Sequence, residues 1–355
     1  MRPHLRPPLL LVAFTLAACA GGPASRAVPE LESREVSFAS HGLELKGTLT
    51  LPEGDGPAPA VILVHGSGPN SRDELARGQL NMAFGFDIPV FRELAEGLSR
   101  AGYVVLRFDK RSCGPFNGCA ENGYPMPDPD MRLQVLLDDV SAGIDHLLAQ
   151  PEVDRDRVFA VGHSEGGVFV PALMTMRQEV KAGVMLAANY RPLDEIVAQQ
   201  AEESRVLARE LGASEEDIDE ALAQMDLLVR RLAQIRAGTA DGHGPGGASL
   251  AYWHDTFALS EAASQTVEAL DRPLLAISGD YDWNVPPSET KLWESAFAGT
   301  VHRATVLPCV THALNCVAQP DYKKITPSDF GRHVDPKVIA EVVSFLGVQT
   351  TGAAR

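Results

Sequence analysis

Arg157-Val158-Phe159-Ala160-Val161-Gly162-His163-Ser164-Glu165-Gly166-Gly167 is the stretch that decides the fold. It opens on a short apolar run of β-branched and aromatic residues, the pattern of a buried strand. Gly-x-Ser-x-Gly follows, and then a helical period over 166–176. Strand, sharp turn and helix is the context that a nucleophile elbow requires. Glycines must flank the serine because a Cβ would clash in so tight a turn. The turn lifts Ser164 Oγ clear of the sheet. The helix start brings backbone N–H groups and a positive dipole end beneath it, and the N–H of Glu165 is the nearest of these.

Outward from this stretch the pattern repeats. REVSFAS (34–40) and LELKGTLTLP (43–52) alternate with polar residues and read as an edge hairpin. PAVILVHGSG (59–68), GYVVLRFDK (102–110), KAGVMLAANY (181–190) and RPLLAISGDYD (272–282) are continuous apolar runs, and HRATVLP (302–308) is the weakest. Helical periods fall between them at 90–101, 131–148, 287–297 and 337–346. Apolar strands separated by helices predict an α/β fold, a mostly parallel central sheet flanked by helices on both faces.

One block interrupts the alternation after the sixth strand. From Pro192 to Ala237 the chain is rich in Ala, Leu, Glu and Arg. Gly-rich GTADGHGPGGAS (238–249) and Tyr252-Trp253-His254 follow. The block reads as an inserted helical cap over 191–265, between core segments 34–190 and 266–348, with 349–355 as a tail; long insertions in such sheets often serve as lids. A separate interaction domain is the rival reading.

A nucleophilic serine needs a base, and the base needs an orienting acid. Past the seventh strand stand Asp280 and Asp282. Asp282, set before the x-x-Val-Pro turn into a helix, is the expected acid, and Asp280 braces the loop. Past the last strand comes LPCVTHALNC (307–316), with His312 between Cys309 and Cys316. The order Ser, Asp, His is that of nucleophile-elbow enzymes. His302 and His333 are the fallback bases. A zinc site on Cys309, His312 and Cys316 lacks an evident fourth ligand, so no metal and no cofactor are expected.

Ser164, Asp282 and His312, so placed, resemble the α/β-hydrolase superfamily from about Arg34 to Leu346. HGSGPNSRDE (65–74) and GHSEGG (162–167) look like its bacterial esterase and serine-peptidase-like branch, related to prolyl oligopeptidases. The resemblance implies that the N–H groups of Ser67 and Glu165 form the oxyanion hole. It implies that Arg72 and Asp73 hold the oxyanion loop, and that Asp109 and Arg111 are structural and paired within their own loop. In FDKRSCG, Ser112 and Cys113 replace the glycine region expected there. His163 reads as packing under the elbow, and Trp253 and Trp283 as pocket walls or core. The implied activity is hydrolysis of a small-molecule ester or short acyl substrate through an acyl-enzyme. A peptidase or amidase with the same residues, or a non-enzymatic partner-binding module, are the alternatives.

The N-terminus supplies the compartment. Arg2 and Arg6 precede an apolar core, Leu9–Leu16, too short to span a bilayer. Leu16-Ala17-Ala18-Cys19 resembles a bacterial lipobox, so 1–18 reads as a lipoprotein signal, Cys19 as the lipidated anchor and 19–33 as a tether. An ordinary signal with an incidental cysteine is the other reading. Ala20 resembles an outer-membrane address, on the periplasmic face. Export predicts disulfides. Without Cys19, Cys113, Cys119, Cys309 and Cys316 form an even set, with three connectivities open and the two local pairs favoured by short loops. Net charge of −16 opposes nucleic acid as a partner.

Overall fold

The computed structural model describes residues 30–76, 86–114, 119 and 131–352. The signal segment 1–18, Cys19 and most of the tether lie outside the described residues. The described residues from Leu31 onward form one compact unit.

Strands β1 (Ser33–Ser40) and β2 (Leu43–Thr50) make the expected hairpin at the sheet edge, joined by a turn in which His41 and Gly42 take positive φ. β3 (Ala58–Val64) follows, then a two-residue ribbon of β4 (Leu75–Ala76) and β5 (Ile88–Pro89) that the sequence did not announce. Helix α1 (Val90–Arg100), β6 (Val104–Phe108), α2 (Leu133–Leu148), β7 (Val153–His163), α3 (Glu165–Met176) and β8 (Val180–Leu186) complete the first part of the core. Next come four helices, α4 (Leu193–Glu210), α5 (Glu215–Arg236), α6 (Leu250–Glu261) and α7 (Ala263–Glu268). The core then resumes with β9 (Leu274–Gly279), α8 (Pro287–Ala296), β10 (Arg303–Leu307) and α9 (Pro336–Gly352). The helical block thus runs to Glu268, and α9 continues into the segment read as a tail.

The eight-stranded sheet has the order β1-β2-β6-β3-β7-β8-β9-β10. β1, β2 and β6 pair antiparallel, and every pair from β6 to β10 is parallel. Period-two alternation explains why the inner strands are apolar throughout. Ala60, Ile62 and Val64 of β3 enter the core that includes α2 and α3, while Val61 and Leu63 enter the one that includes α1 and α9. β7 divides likewise: Val158 and Ala160 face one side, Phe159 and Val161 the other. Gly97 lets α1 lie against α9, since a Cβ there would sit 2.7 Å from Ile339 Cδ1. No helix among the described residues is long and apolar enough to cross a membrane.

The strand ends matter for function. β3, β7, β9 and β10 all run parallel, so their C-terminal ends lie along one edge of the sheet, where open α/β folds gather ligands. Ser67, Ser164, Asp282 and His312 each follow one of these ends.

Candidate active site

Ser164 stands between β7 and α3 with φ 54° and ψ −123°. This is a left-handed position for a residue with a Cβ, at a cost of about 1–3 kcal/mol. The surrounding glycines make it attainable. A Cβ on Gly162 would lie 2.2 Å from the Gly166 carbonyl oxygen, and one on Gly166 would lie 2.1 Å from that of Val64. The Ser164 N–H is fixed by the Leu186 carbonyl at 2.8 Å.

The structure brings the three sequence-predicted residues together. His312 Nε2 lies 3.1 Å from Ser164 Oγ, and His312 Nδ1 lies 2.9 Å from Asp282 Oδ2. A carboxylate only accepts, so Nδ1 carries the hydrogen and Nε2 is free to accept the serine proton. Asp282 is buried, and its Oδ1 accepts the N–H groups of Asn284 at 2.9 Å and Val285 at 2.7 Å. Those bonds fix the rotamer from the turn that the Val-Pro pair builds. Asp280 braces the neighbouring loop, as expected, by accepting the Cys309 N–H at 2.6 Å.

The His312 loop is tied several times. Cys309 and Cys316 are bonded to one another, so neither is a thiolate ligand. The Val317 N–H reaches the Cys309 carbonyl at 2.8 Å, and the Thr311 N–H reaches that of Asn315 at 2.8 Å. Gly279 is bare for this loop: a Cβ there would lie 1.8 Å from the Val310 carbonyl oxygen. Cys113 is joined to Cys119, so both local pairs are present.

The fallback histidines are engaged elsewhere. His302 is buried, accepts the Leu274 N–H at Nδ1 and donates from Nε2 to the Val267 carbonyl at 2.8 Å. Desolvation holds its pKa below the usual value. His333 pairs with Glu93 at the surface.

Beneath the row lies a second histidine with more than a packing role. His163 Nε2 donates to the main-chain carbonyl of His312 at 2.8 Å, and Nδ1 faces Glu74 Oε1 at 3.1 Å. Both contacts call for a donor, so the imidazolium form fits them. Burial opposes that charge, but the Glu74 carboxylate outweighs it and raises the His163 pKa. Burial likewise works against the Glu74 charge, and His163 wins by holding that carboxyl below its usual range. Glu74 Oε1 also accepts the Gly66 N–H at 2.8 Å. One carboxylate therefore joins the base loop to the turn after β3. Sequence reasoning missed Glu74, although it noticed its neighbours.

That turn is organised for donation. Lys110 Nζ donates to the Gly66 carbonyl at 2.8 Å and to Glu165 Oε2 at 3.3 Å. Asn70 Nδ2 reaches the carbonyls of Gly66 and Ser67 at 3.0 Å each. Ser67 belongs to the wall of the hollow beside Ser164. Glu165 opens α3, so its N–H has no partner within the helix. Its carboxylate takes Lys110 on one oxygen and the Tyr252 hydroxyl of α6 on the other. Burial, then Glu165, pushes the Tyr252 pKa well above normal.

The expected pairing of Asp109 with Arg111 is corrected. Asp109 accepts a two-pronged contact from Arg72, with Nε at 3.2 Å and an Nη at 2.8 Å. Arg111 turns the other way and grips Asp139 of α2, with Nε at 2.6 Å. The planar guanidinium fork selects a carboxylate it can meet squarely, and proximity along a turn does not provide that. Arg72 ties the turn after β3 to Asp109, and Asp73 pairs with Arg92 and Arg107.

Two hollows meet at Ser164 and His312. One, of about 90 Å³, is walled by Glu74, Trp283 and the base loop Thr311–Ala313. The other, of about 330 Å³, lies under the helical block and is lined by Val168, Leu193, Val197, Leu232 and Trp253. Trp283 thus borders the site from the acid loop. Trp253 borders it from the cap, with its ring edge against Gly244, where a Cβ would lie 2.3 Å from Nε1.

The family described as Serine aminopeptidase, S33 (Hydrolase_4) matches residues 85–315. Esterase EstD of Thermotoga maritima is 28% identical over 306 residues; the match covers 85% of this chain and 65% of EstD. The chain therefore spans less than two thirds of that relative's length. Est1E from Butyrivibrio proteoclasticus superposes with a TM-score of 0.53 at 16% identity, covering 89% of this chain and 99% of that one. A Pyrococcus furiosus esterase gives 0.50 at 17% identity, covering 89% and 91%. At such identities the two structures speak for the fold alone, the α/β-hydrolase fold. With a family match over more than half its length, on a sheet whose strand ends carry Ser164, Asp282 and His312, the chain belongs to the serine aminopeptidase S33 (Hydrolase_4) family.

Proposed function

We propose that this protein is a serine hydrolase that cleaves carboxylic esters through an acyl-enzyme. The contact row from Ser164 Oγ through His312 to Asp282 carries the reading. Ser164 Oγ attacks the ester carbonyl carbon as His312 Nε2 takes its proton. Asp282 stabilises the imidazolium that forms. The carbonyl oxygen gains negative charge and faces the N–H groups of Ser67 and Glu165; loss of one such donor costs on the order of 3 kcal/mol. His312 returns the proton to the departing alcohol. Water, activated by His312 in turn, then releases the acid and restores Ser164.

The family description keeps an aminopeptidase reading in view. The larger hollow, where the acyl part with its amino group would sit, supports the ester reading over it. Glu165 is the one carboxylate among the described residues of its wall, and Lys110 matches that charge. No net anion is left there to select a substrate ammonium group.

The test is Ser164→Ala in the full mature chain. Turnover of short-chain esters should fall by on the order of 10⁶-fold, with loss of fluorophosphonate labelling. Full retained turnover would remove the proposal. A matched ester and anilide, compared on the wild-type enzyme, decide the second reading.

We propose further that Cys19 carries a lipid that anchors the protein on the periplasmic face of the outer membrane. Arg2, Arg6, the Leu9–Leu16 core and the Leu16–Cys19 box support this, as do the two disulfides, which suit an oxidising compartment. Incorporation of a labelled fatty acid in a bacterial host, abolished by Cys19→Ser, is the expected result. Label retained in that variant refutes the anchor.

A further inference from the structure

Beside the active site lies a groove that the reaction scheme leaves unused. It encloses about 340 Å³ between α4 and the segment 322–330. Leu207, Trp283, Ile325, Pro327 and Phe330 form its walls. Trp283 is also a wall of the small hollow that holds Ser164 and His312, so the groove and the hollow meet at one indole.

The walls are built and held. The Tyr322 hydroxyl donates to Glu210 Oε2 of α4 at 3.1 Å, and Lys323 Nζ pairs with the same oxygen at 2.8 Å. Thr326 and Asp329 close a reciprocal capping box that stiffens the far wall. On the near side Gln200 of α4 donates to the Asn284 carbonyl, which fastens the cap helix to the acid loop.

Chemistry assigns the groove to one side of the substrate. The alcohol leaves with the proton that His312 returns, so it must depart on the base-loop side. The small hollow is lined by Thr311, His312 and Ala313 and by no residue of α3. The larger hollow under the cap is lined by Glu165 and Val168 of α3, which makes it the seat of the acyl group. The groove borders the first of these at Trp283 and the second at Gln200, and Gln200 is engaged with the Asn284 carbonyl, so the indole side is the one left for substrate. We infer that it is the binding site for the alcohol portion of the ester, and that the preferred alcohol carries an uncharged aromatic or aliphatic group reaching past Trp283. Glu203 stands on the rim, bonded only to neutral Gln199 among its described hydrogen bonds, and disfavours an anionic alcohol.

This inference rests on the ester reading and deepens it. The experiment compares phenylpropyl butyrate with ethyl butyrate, two alkyl esters of one acid, by acid release in a pH-stat. The readout is the ratio of their kcat/KM values in wild type, Leu207→Glu and Ile325→Ala. Wild type should favour the phenylpropyl ester, and each variant should lower the ratio, Leu207→Glu by about tenfold. Thermal unfolding of each variant confirms that it is folded, and the ratio cancels any loss of active enzyme. A wild type that cleaves both esters, with a ratio that neither variant moves, overturns the groove and leaves the ester reading standing. A wild type that cleaves neither overturns both.

Discussion

His163 donates from Nε2 to the main-chain carbonyl of His312 at 2.8 Å, with the two rings 4.9 Å apart. The histidine inside the Gly-x-Ser-x-Gly motif thus holds the histidine that faces the serine. Glu74 sets the protonation of the first and, through the Gly66 N–H, the shape of the turn after β3.

Glu74→Gln should therefore slow catalysis without a matching loss of binding. A base displaced by a fraction of an ångström loses up to about 10²-fold in kcat, while KM moves little. The pH profile adds a sign. His163 has its pKa raised in the fold, so both of its donor bonds are present below the usual histidine value and one of them is lost as pH rises through the raised one. Without the carboxylate that loss comes at lower pH, and the alkaline limb of kcat shifts toward neutrality. An unshifted limb in a folded variant would count against this role.

Asp282→Asn keeps the shape of the acid but offers His312 an amide. If the amide NH₂ faces Nδ1, it selects the wrong tautomer, as in serine proteases, where the corresponding change costs about 10⁴-fold in kcat. Steady-state kinetics on a short-chain ester measures it, and a drop of less than tenfold would assign the acid's work elsewhere.

Reduction of Cys309–Cys316 should act on both stability and rate. Closing so short a loop restricts the unfolded chain by about 2–3 kcal/mol, and here the loop also carries His312, the proposed base. The double variant Cys309→Ser with Cys316→Ser should melt earlier and turn over more slowly. Its activity should no longer respond to dithiothreitol through this pair. Wild-type activity that survives verified reduction of this bond unchanged would sink the idea that the tie presents His312.

His65 predicts the acid limb of stability. It is buried against Phe91 and Phe108, and burial lowers its pKa from 6.5 to about 4. The unfolded chain takes up that proton first, so stability falls as pH drops from 6.5 through about 4. The loss amounts to about 3 kcal/mol at ~1.4 kcal/mol for each pH decade. Urea unfolding across this range should show a shallower decline in His65→Gln than in wild type.

The fold was readable because buried parallel strands leave unbroken apolar runs, and Val61–Val64 or Val158–Val161 admit few other readings. Ser164 was readable because its backbone demands glycines at fixed spacing. Asp282 and His312 came from their order after strand ends. Glu74 was not, since its importance lies in reaching His163, 89 residues away in the chain, from a loop with no periodicity. Tyr252 was hidden for a similar reason: it sits in an aromatic cluster that looks like core, and only its hydroxyl, turned to Glu165, sets it apart. The ribbon of β4 and β5 was too short to leave a pattern.

Both ends of the inserted helices are pinned. Where the chain enters, buried Glu289 accepts the Tyr190 N–H at 3.0 Å, the Arg191 N–H at 2.9 Å and Arg191 Nε at 2.8 Å. Near the exit, His302 holds the Val267 carbonyl. The entering and leaving segments of the chain are thus fixed to the sheet domain. Any movement of the block must therefore come from the helices between these two anchors and not from its roots.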